Sequence, residues 1–301
     1  MSLYSTRLKP GNISIFLFHG VVAESKYEVR NYTRKHLPLN DFRDILADLK
    51  GHGTALSMDD IEQIISSGEP FPDQAFAITF DDGFENNYSV AAPALSDFGI
   101  PGMFYVTSGF IEKNSMSWID RIEFAFENTA SASFSFPWGN EVSFDNAARK
   151  RAILDDIRWH VKRDESIDQD EFVAWIYRQI GMDEVLDTDD PLDLKMSWKQ
   201  VEEMHHSDLF TIGGHTHTHP IMSHLSPADL DFEIDHNLSL LKEKGNVDTH
   251  HFSYPEGLEH CYNQQVIDAL KMRGIKICPS AIDGDNYRGS DPFHLKRIPV
   301  V

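Results

Sequence analysis

Two places in the sequence concentrate side chains that can do chemistry. The first is Thr79-Phe80-Asp81-Asp82-Gly83, at the end of the apolar run 75–80. Two adjacent carboxylates at a strand end repel each other and are costly to desolvate unless a cation lies beside them. A plainer reading has one of them capping the helix that follows. The second place is Gly213-Gly214-His215-Thr216-His217-Thr218-His219-Pro220. Imidazoles at i and i+4 converge on one metal if the turn is helical, and alternate imidazoles do so if it is extended. The competing reading is a histidine-rich surface loop without a ligand, against which the paired glycines imply a shaped backbone. Together the two places supply one Asp and two His as ligands for a divalent metal, with the second Asp left as a base. Such an open three-ligand site is typical of metal-assisted hydrolysis.

These groups need elements to position them. Residues 13–18, 75–80 and 103–106 read as buried strands, with helices over 40–50 (capped by Asn40 or Asp41), over 57–65 and up to about 98, where Gly99 stops the last of them. Strand, helix, strand with crossovers of this length means parallel pairing in an α/β domain. From 112 to 195 the texture changes: a hairpin over 133–144 around Pro137-Trp138-Gly139-Asn140, charged amphipathic helices over 145–163 and 168–180, and an acidic loop over 187–193. This stretch reads either as a surface insertion or as a lid over the site. Alternation then returns: a helix capped by Ser197, a strand over 209–212, a helix over 226–244, a strand over 251–254, a helix over 263–273, a strand over 274–278 and an apolar tail over 292–301. The expectation is a single α/β domain over 1–301, with about seven core strands and a largely helical insertion at 112–195. Both chemical places lie at C-terminal strand ends, where barrel enzymes carry their active sites.

Composition narrows the partners. Lys and Arg total 27 against 48 Asp and Glu in 301 residues, a net charge of −21. That leaves no basic face for nucleic acid or an anionic membrane, and no apolar run approaches the ~20 residues of a membrane span. The opening Met1-Ser2-Leu3-Tyr4-Ser5 shows no apolar signal region, so a cytoplasmic enzyme is expected. Cys261 and Cys278 make no disulfide framework.

Thr79-Phe80-Asp81-Asp82-Gly83 followed by His215-Thr216-X-X-His219-Pro220 resembles the polysaccharide deacetylase family, carbohydrate esterase family four. Residues 196–201 are similar to the helix leading into the family's histidine motif, Phe252-Ser253-Tyr254-Pro255-Glu256-Gly257 to its third motif, and Leu295-Lys296-Arg297-Ile298 to its closing strand. The resemblance implies a distorted, incomplete (β/α) barrel and metal-dependent removal of an acyl group, acetyl or formyl, from an amino sugar. Carried over by position, Asp82, His215 and His219 hold the metal, usually zinc, with cobalt, nickel or manganese as substitutes. Asp81 is then the general base, and the backbone N–H of Glu256, with Tyr254 in the same motif, meets the oxyanion and substrate. Thr216 braces the loop, and His19 stands in a supporting position.

The chain departs from the family pattern in four places. Ser253 stands where the family has an arginine that orients the catalytic Asp. Glu256 replaces an aromatic that lines the sugar groove. The Asp–Trp wall motif is not recognisable, although Asp283 and Asp285 are nearby. No Leu-X-His occurs on the last strand, so the general acid falls to His294, with His19 and His217 as alternatives. Trp118 follows the third strand, close to where a sugar could stack. His205, His206, His250 and His251 read as helix-end or strand-end residues. The expected substrate is an amino sugar, nucleotide-linked, lipid-linked or part of an oligosaccharide, with the 112–195 insertion closing one end of the groove. Arg297, Lys296 or Arg121 would provide a local basic spot.

Overall fold

A computed structural model describes residues 4–23 and 26–301; the first three residues of the opening segment lie outside the described residues. Strand β1 (Asn12–Phe18) is followed by the short β2 (Gly20–Val22) and β3 (His36–Pro38), then α1 (Leu39–His52), β4 (Thr54–Ala55), α2 (Met58–Ser67) and β5 (Ala75–Phe80). Next come α3 (Ala92–Phe98), β6 (Gly102–Val106), α4 (Ser108–Lys113) and α5 (Trp118–Asn128). The hairpin β7 (Ala132–Ser135) and β8 (Glu141–Phe144) precedes α6 (Ala147–Val161) and α7 (Gln169–Ile180). The chain ends with α8 (Trp198–His205), β9 (Phe210–Gly214), α9 (Pro227–Gly245), α10 (Gln264–Met272), β10 (Asn286–Tyr287) and β11 (Ile298–Pro299).

Among the described residues the main sheet has seven strands, in the order β10-β1-β5-β6-β9, with β11 on β1 and β4 on β5. All its pairings are parallel except β1 with β10. Beyond β9 the ladder thins to isolated bridges, Gly214 to Phe252 and His251 to Ile277. The strands expected over 251–254 and 274–278 are reduced to these bridges, because Pro255 and Pro279 have no N–H to extend a ladder. The result is the distorted barrel expected from the sequence.

Side-chain alternation divides the core in two. Phe16, Phe18, Phe76, Ile78, Phe80 and Phe104 pack outward against α1 and α3. Ile13, Ile15, Ala75, Ala77, Met103, Tyr105, Ile277 and Leu295 fill the barrel. Thr79 and Asp81 continue the inward series of β5, as Arg297 continues that of Leu295. Residues 112–195 carry a core of their own, in which α5, α6, α7 and the hairpin bury Ile122, Phe126, Leu154, Ile157, Phe172 and Ile176 together with Val29. Two local expectations change. Helix α1 starts after Pro38 with no side-chain cap, not at Asn40 or Asp41. Helix α5 was not anticipated; Ser117 caps it through the Asp120 N–H.

Candidate active site

Level strand register assembles the site. Phe18 of β1 pairs with Phe80 of β5, and Val106 of β6 pairs with Gly214 of β9. The residues that follow, His19, Asp81 and His215, therefore emerge on one rim of the barrel. The glycines before His215 are needed for close approach. A Cβ on Gly213 would lie 2.4 Å from Met103 Cε, and one on Gly214 2.5 Å from Asn237 Oδ1. Four non-glycine residues of the site, Asp82, Thr216, His219 and Glu256, have left-handed backbones with φ between +57° and +77°. Such conformations persist where surrounding structure enforces them. Here Thr216 Oγ1 accepts from the His219 N–H (3.1 Å) and donates to the His215 carbonyl (2.7 Å). From α9, Asn237 donates to the Thr216 and Val106 carbonyls, and Glu233 accepts from the His217 and Thr218 N–H groups.

Asp82, His215 and His219 bring one ligand atom each to within 4.8 Å of one another. Asp82 Oδ1 lies 3.4 Å from His219 Nε2 and 3.7 Å from His215 Nε2. It is buried and has no hydrogen-bond partner. His215 Nδ1 is 2.8 Å from the Ser253 carbonyl. A carbonyl can only accept, so the proton of the neutral ring sits on Nδ1 and the Nε2 lone pair faces Asp82. An orphaned carboxylate oxygen opposite two imidazole nitrogens fits a divalent metal, with donors suited to zinc. The other Asp82 oxygen, Oδ2, is 3.0 Å from Lys35 Nζ, which also reaches Asp120 (3.2 Å). Burial alone would raise the Asp82 carboxyl; Lys35 and the imidazoles hold it well below the carboxylate range.

Asp81 is gripped from behind. Arg297 Nη1 and Nη2 each donate to a different Asp81 oxygen at 2.8 Å, and Nη2 also donates to Ser253 Oγ at 2.8 Å. Arg297 Nε donates to the Ser280 carbonyl, and the whole side chain is buried. Desolvation works to raise Asp81, but Arg297 and His215 bring it below its ordinary value. It is ionised at neutral pH.

Asp81, Asp82, His215 and His219 line a cavity of 390 Å³ with His19, Lys35, Trp118, Arg158, Lys162 and Glu256. Arg158 and Lys162 bracket the end of α6, and Trp118 opens α5, so residues 112–195 form one wall. Lys162 pairs with Glu256 at 2.5 Å. A second cavity of 610 Å³ shares Trp118 and His219 with the first.

A sequence profile of the polysaccharide deacetylase family matches residues 68–278. The chain belongs to the polysaccharide deacetylase family. No curated protein matches it in sequence. Among solved structures it resembles the deacetylase PplD of Streptococcus pyogenes, solved with acetate. The TM-score is 0.60 at 17% identity, over 97% of this chain and 93% of that one. IcaB of Ammonifex degensii gives 0.62 at 16% identity, over 98% and 94% of the two chains. A de-N-acetylase of Aggregatibacter actinomycetemcomitans gives 0.60 at 15% identity, over 95% and 94%. At these identities the likeness is one of fold.

Against the family pattern, this polysaccharide deacetylase relocates two groups. The Asp81-orienting role that the resemblance gives to a third-motif arginine is taken here by Arg297, and the small Ser253 at that motif position accepts one of its hydrogen bonds. Arg297 also fills the family's histidine position, since Leu295-Lys296-Arg297 has the Leu-X-His spacing. His294 is not brought to the site: it lines a separate pocket, its Nδ1 3.2 Å from the Tyr262 hydroxyl. His19, at the end of β1, is on the cavity wall instead. His217 turns away to Ser108 Oγ at 2.9 Å. The Tyr254 ring is buried on Tyr262, and its hydroxyl donates to the Phe293 carbonyl, so its side chain does not face substrate. Glu256 lines the cavity at the centre of a three-residue turn closed by the Gly257 N–H on the Pro255 carbonyl. Asp283 and Asp285 pair with Arg7 and Lys9 and build no wall. Lys35 was missed, and no motif marks it. Of the basic residues expected at the site, Arg297 is used up behind Asp81.

Proposed function

We propose that this polysaccharide deacetylase is a metal-dependent hydrolase that removes an N-acyl group, acetyl or formyl, from an amino sugar in a surface-glycan precursor or oligosaccharide. One observation carries the reading: the orphaned Asp82 Oδ1 faces two imidazole nitrogens beside a carboxylate clamped by Arg297. Asp82, His215 and His219 would hold the cation. Zinc is the best match, with cobalt, nickel or manganese as substitutes. Bound there, a divalent ion supplies positive charge that polarises the acyl carbonyl and lowers the pKa of adjacent water to about 7. Asp81 alone could not do this work. The conjugate acid of a free aspartate already lies about 12 pKa units below bulk water, a gap of about 16 kcal/mol, and Arg297 holds Asp81 lower still.

In the reaction Asp81 accepts a proton from the attacking water, oriented by the guanidinium fork behind it. The Glu256 backbone N–H is assigned to the carbonyl oxygen as it gains charge. The proton that Asp81 takes from the water is passed on by His19 to the amide nitrogen as the C–N bond breaks, so that the carboxylic acid and the free amine leave and both side chains return to their starting protonation states. Trp118 offers an aromatic face to the sugar ring. Arg297 on Asp81 and His19 on the cavity wall favour turnover over a binding-only relative. A cytoplasmic location is part of the same proposal.

The test is acid release from N-acetylated and N-formylated amino-sugar conjugates by chelator-treated protein with and without zinc. His219→Ala should lose activity together with the equivalent of metal held beside Asp81. Asp81→Asn should keep the metal and lose several orders of magnitude in kcat. A metal content of His219→Ala equal to that of the wild type would refute the ligand set.

A further inference from the structure

At the other end of the barrel a second histidine–carboxylate group comes together. Asp59 is in the first turn of α2, and His250 and His251 precede the bridge to β9. His251 Nε2 lies 2.7 Å from Asp59 Oδ1, and His250 Nε2 lies 3.4 Å from the same oxygen. Among the described residues only this group and the catalytic one bring three such ligand atoms within 4.8 Å of one another. Thr211, at the start of β9, donates to Asp59 Oδ2 at 3.2 Å. It precedes His215 by four strand residues, or about 13 Å, so the two groups are separate.

We propose that Asp59, His250 and His251 form a second divalent transition-metal site that pins α2 to the N-terminal end of the barrel. Ligands about 2.0–2.1 Å from a tetrahedral ion lie roughly 3.3 Å from one another. His250 already stands at that distance from Asp59, and His251 needs to open by about half an ångström. His250 Nε2 is a buried atom with no hydrogen-bond partner, aimed at the shared carboxylate oxygen. Thr211 holds the second oxygen, and at Oδ1 the ion would replace the hydrogen bond that His251 Nε2 now makes at 2.7 Å. The Asp59 side chain is half-exposed, so water can complete the shell. Two imidazoles and one carboxylate select zinc, cobalt or nickel over magnesium or calcium. The pin has a mechanical path to the catalytic loop. The His251 carbonyl accepts from the Gly214 N–H at 3.0 Å, and two residues later the Ser253 carbonyl holds His215.

Zinc titration of chelator-stripped full-length protein by calorimetry tests this. Wild type should take up two equivalents. His250→Gln and Asp59→Asn should each take up one, and the His215→Ala/His219→Ala double variant should keep one and melt at higher temperature with zinc. Folding of each variant is checked by circular dichroism. Undiminished stoichiometry in His250→Gln, or no uptake by a folded double variant, overturns the proposal. A single wild-type equivalent kept by His250→Gln also overturns it and leaves the catalytic site standing. A single equivalent lost in His250→Gln but kept in the double variant supports it and removes the catalytic ligand set instead.

Discussion

Arg297 and Asp81 meet through two parallel hydrogen bonds of 2.8 Å, one guanidinium nitrogen to each carboxylate oxygen, with both side chains buried. The fork fixes where the Asp81 lone pairs point and lowers its basicity at the same time. Arg297→Lys keeps the charge and loses the fork. Its kcat should fall about 10- to 100-fold with zinc content unchanged. Arg297→Ala leaves a buried carboxylate unpaired, a loss of about 3–5 kcal/mol. Urea midpoints equal to wild type for Arg297→Ala would mean that the pair does not carry this load.

Two histidines compete for the acid role, and they separate by substitution. His19→Asn should lower kcat by about 10²- to 10⁴-fold, the usual worth of a positioned proton donor, while binding metal normally. His294→Asn, whose ring faces Tyr262, should stay within about twofold of wild type. Steady-state kinetics on both variants decides, and the reverse ranking would return the role to His294.

Acid should destabilise the metal-free protein well before its carboxylates titrate. Burial lowers the pKa of His19, His36 and His219, most strongly for His36, whose Nδ1 is 2.9 Å from Asn86 Nδ2. Unfolded imidazoles take up protons near pH 6.5 while these folded ones resist. The unfolded state therefore binds more protons below that pH, so stability is complete above about 6.5 and falls as pH drops through the window. Each histidine contributes about 1.4 kcal/mol per pH unit within it. Urea melts in chelator at pH 7.5 and 5.5 read this directly, and a midpoint unchanged on acidification would contradict it.

Substrate length is the remaining variable. The α6 wall at Arg158 and Lys162 crosses one side of the catalytic cavity, so a monosaccharide conjugate should turn over faster than a chitin or peptidoglycan oligomer. Competition kinetics between the two classes is sufficient. Preference for the oligomer would instead make the neighbouring cavity beyond Trp118 and His219 a continuation of the groove.

The parts legible in the sequence were those whose signal is local. Unbroken apolar runs mark β1, β5 and β6, and paired carboxylates or imidazoles at strand ends have few other uses. Arg297 was not legible as the partner of Asp81, because 216 positions separate them and only the return of the last strand beside β1 brings them together. His19 and His294 could not be ranked without the register that levels β1 with β5. Helix α5 escaped because Asp120, Arg121 and Glu123 are buried in it, which blurs its apolar stripe. The signal that would have found it is Ser117-Trp118-Ile119-Asp120, a cap followed three residues later by an acid.

The two hydrophobic cores that meet at the cavity divide its labour. Hydrolytic groups hang from the barrel core, whereas Trp118, Arg158 and Lys162 hang from the separately packed helices of residues 112–195. The helical unit supplies one wall of the cavity, whereas the Arg297 clamp on Asp81 is built from barrel residues alone. Two ion pairs tie the helical unit to the barrel, Lys162 to Glu256 and Asp120 to Lys35. Asp120 belongs to the helical unit and shares Lys35 with Asp82, so a replacement of that unit without an acid at that point would leave the Lys35 ammonium to Asp82 alone.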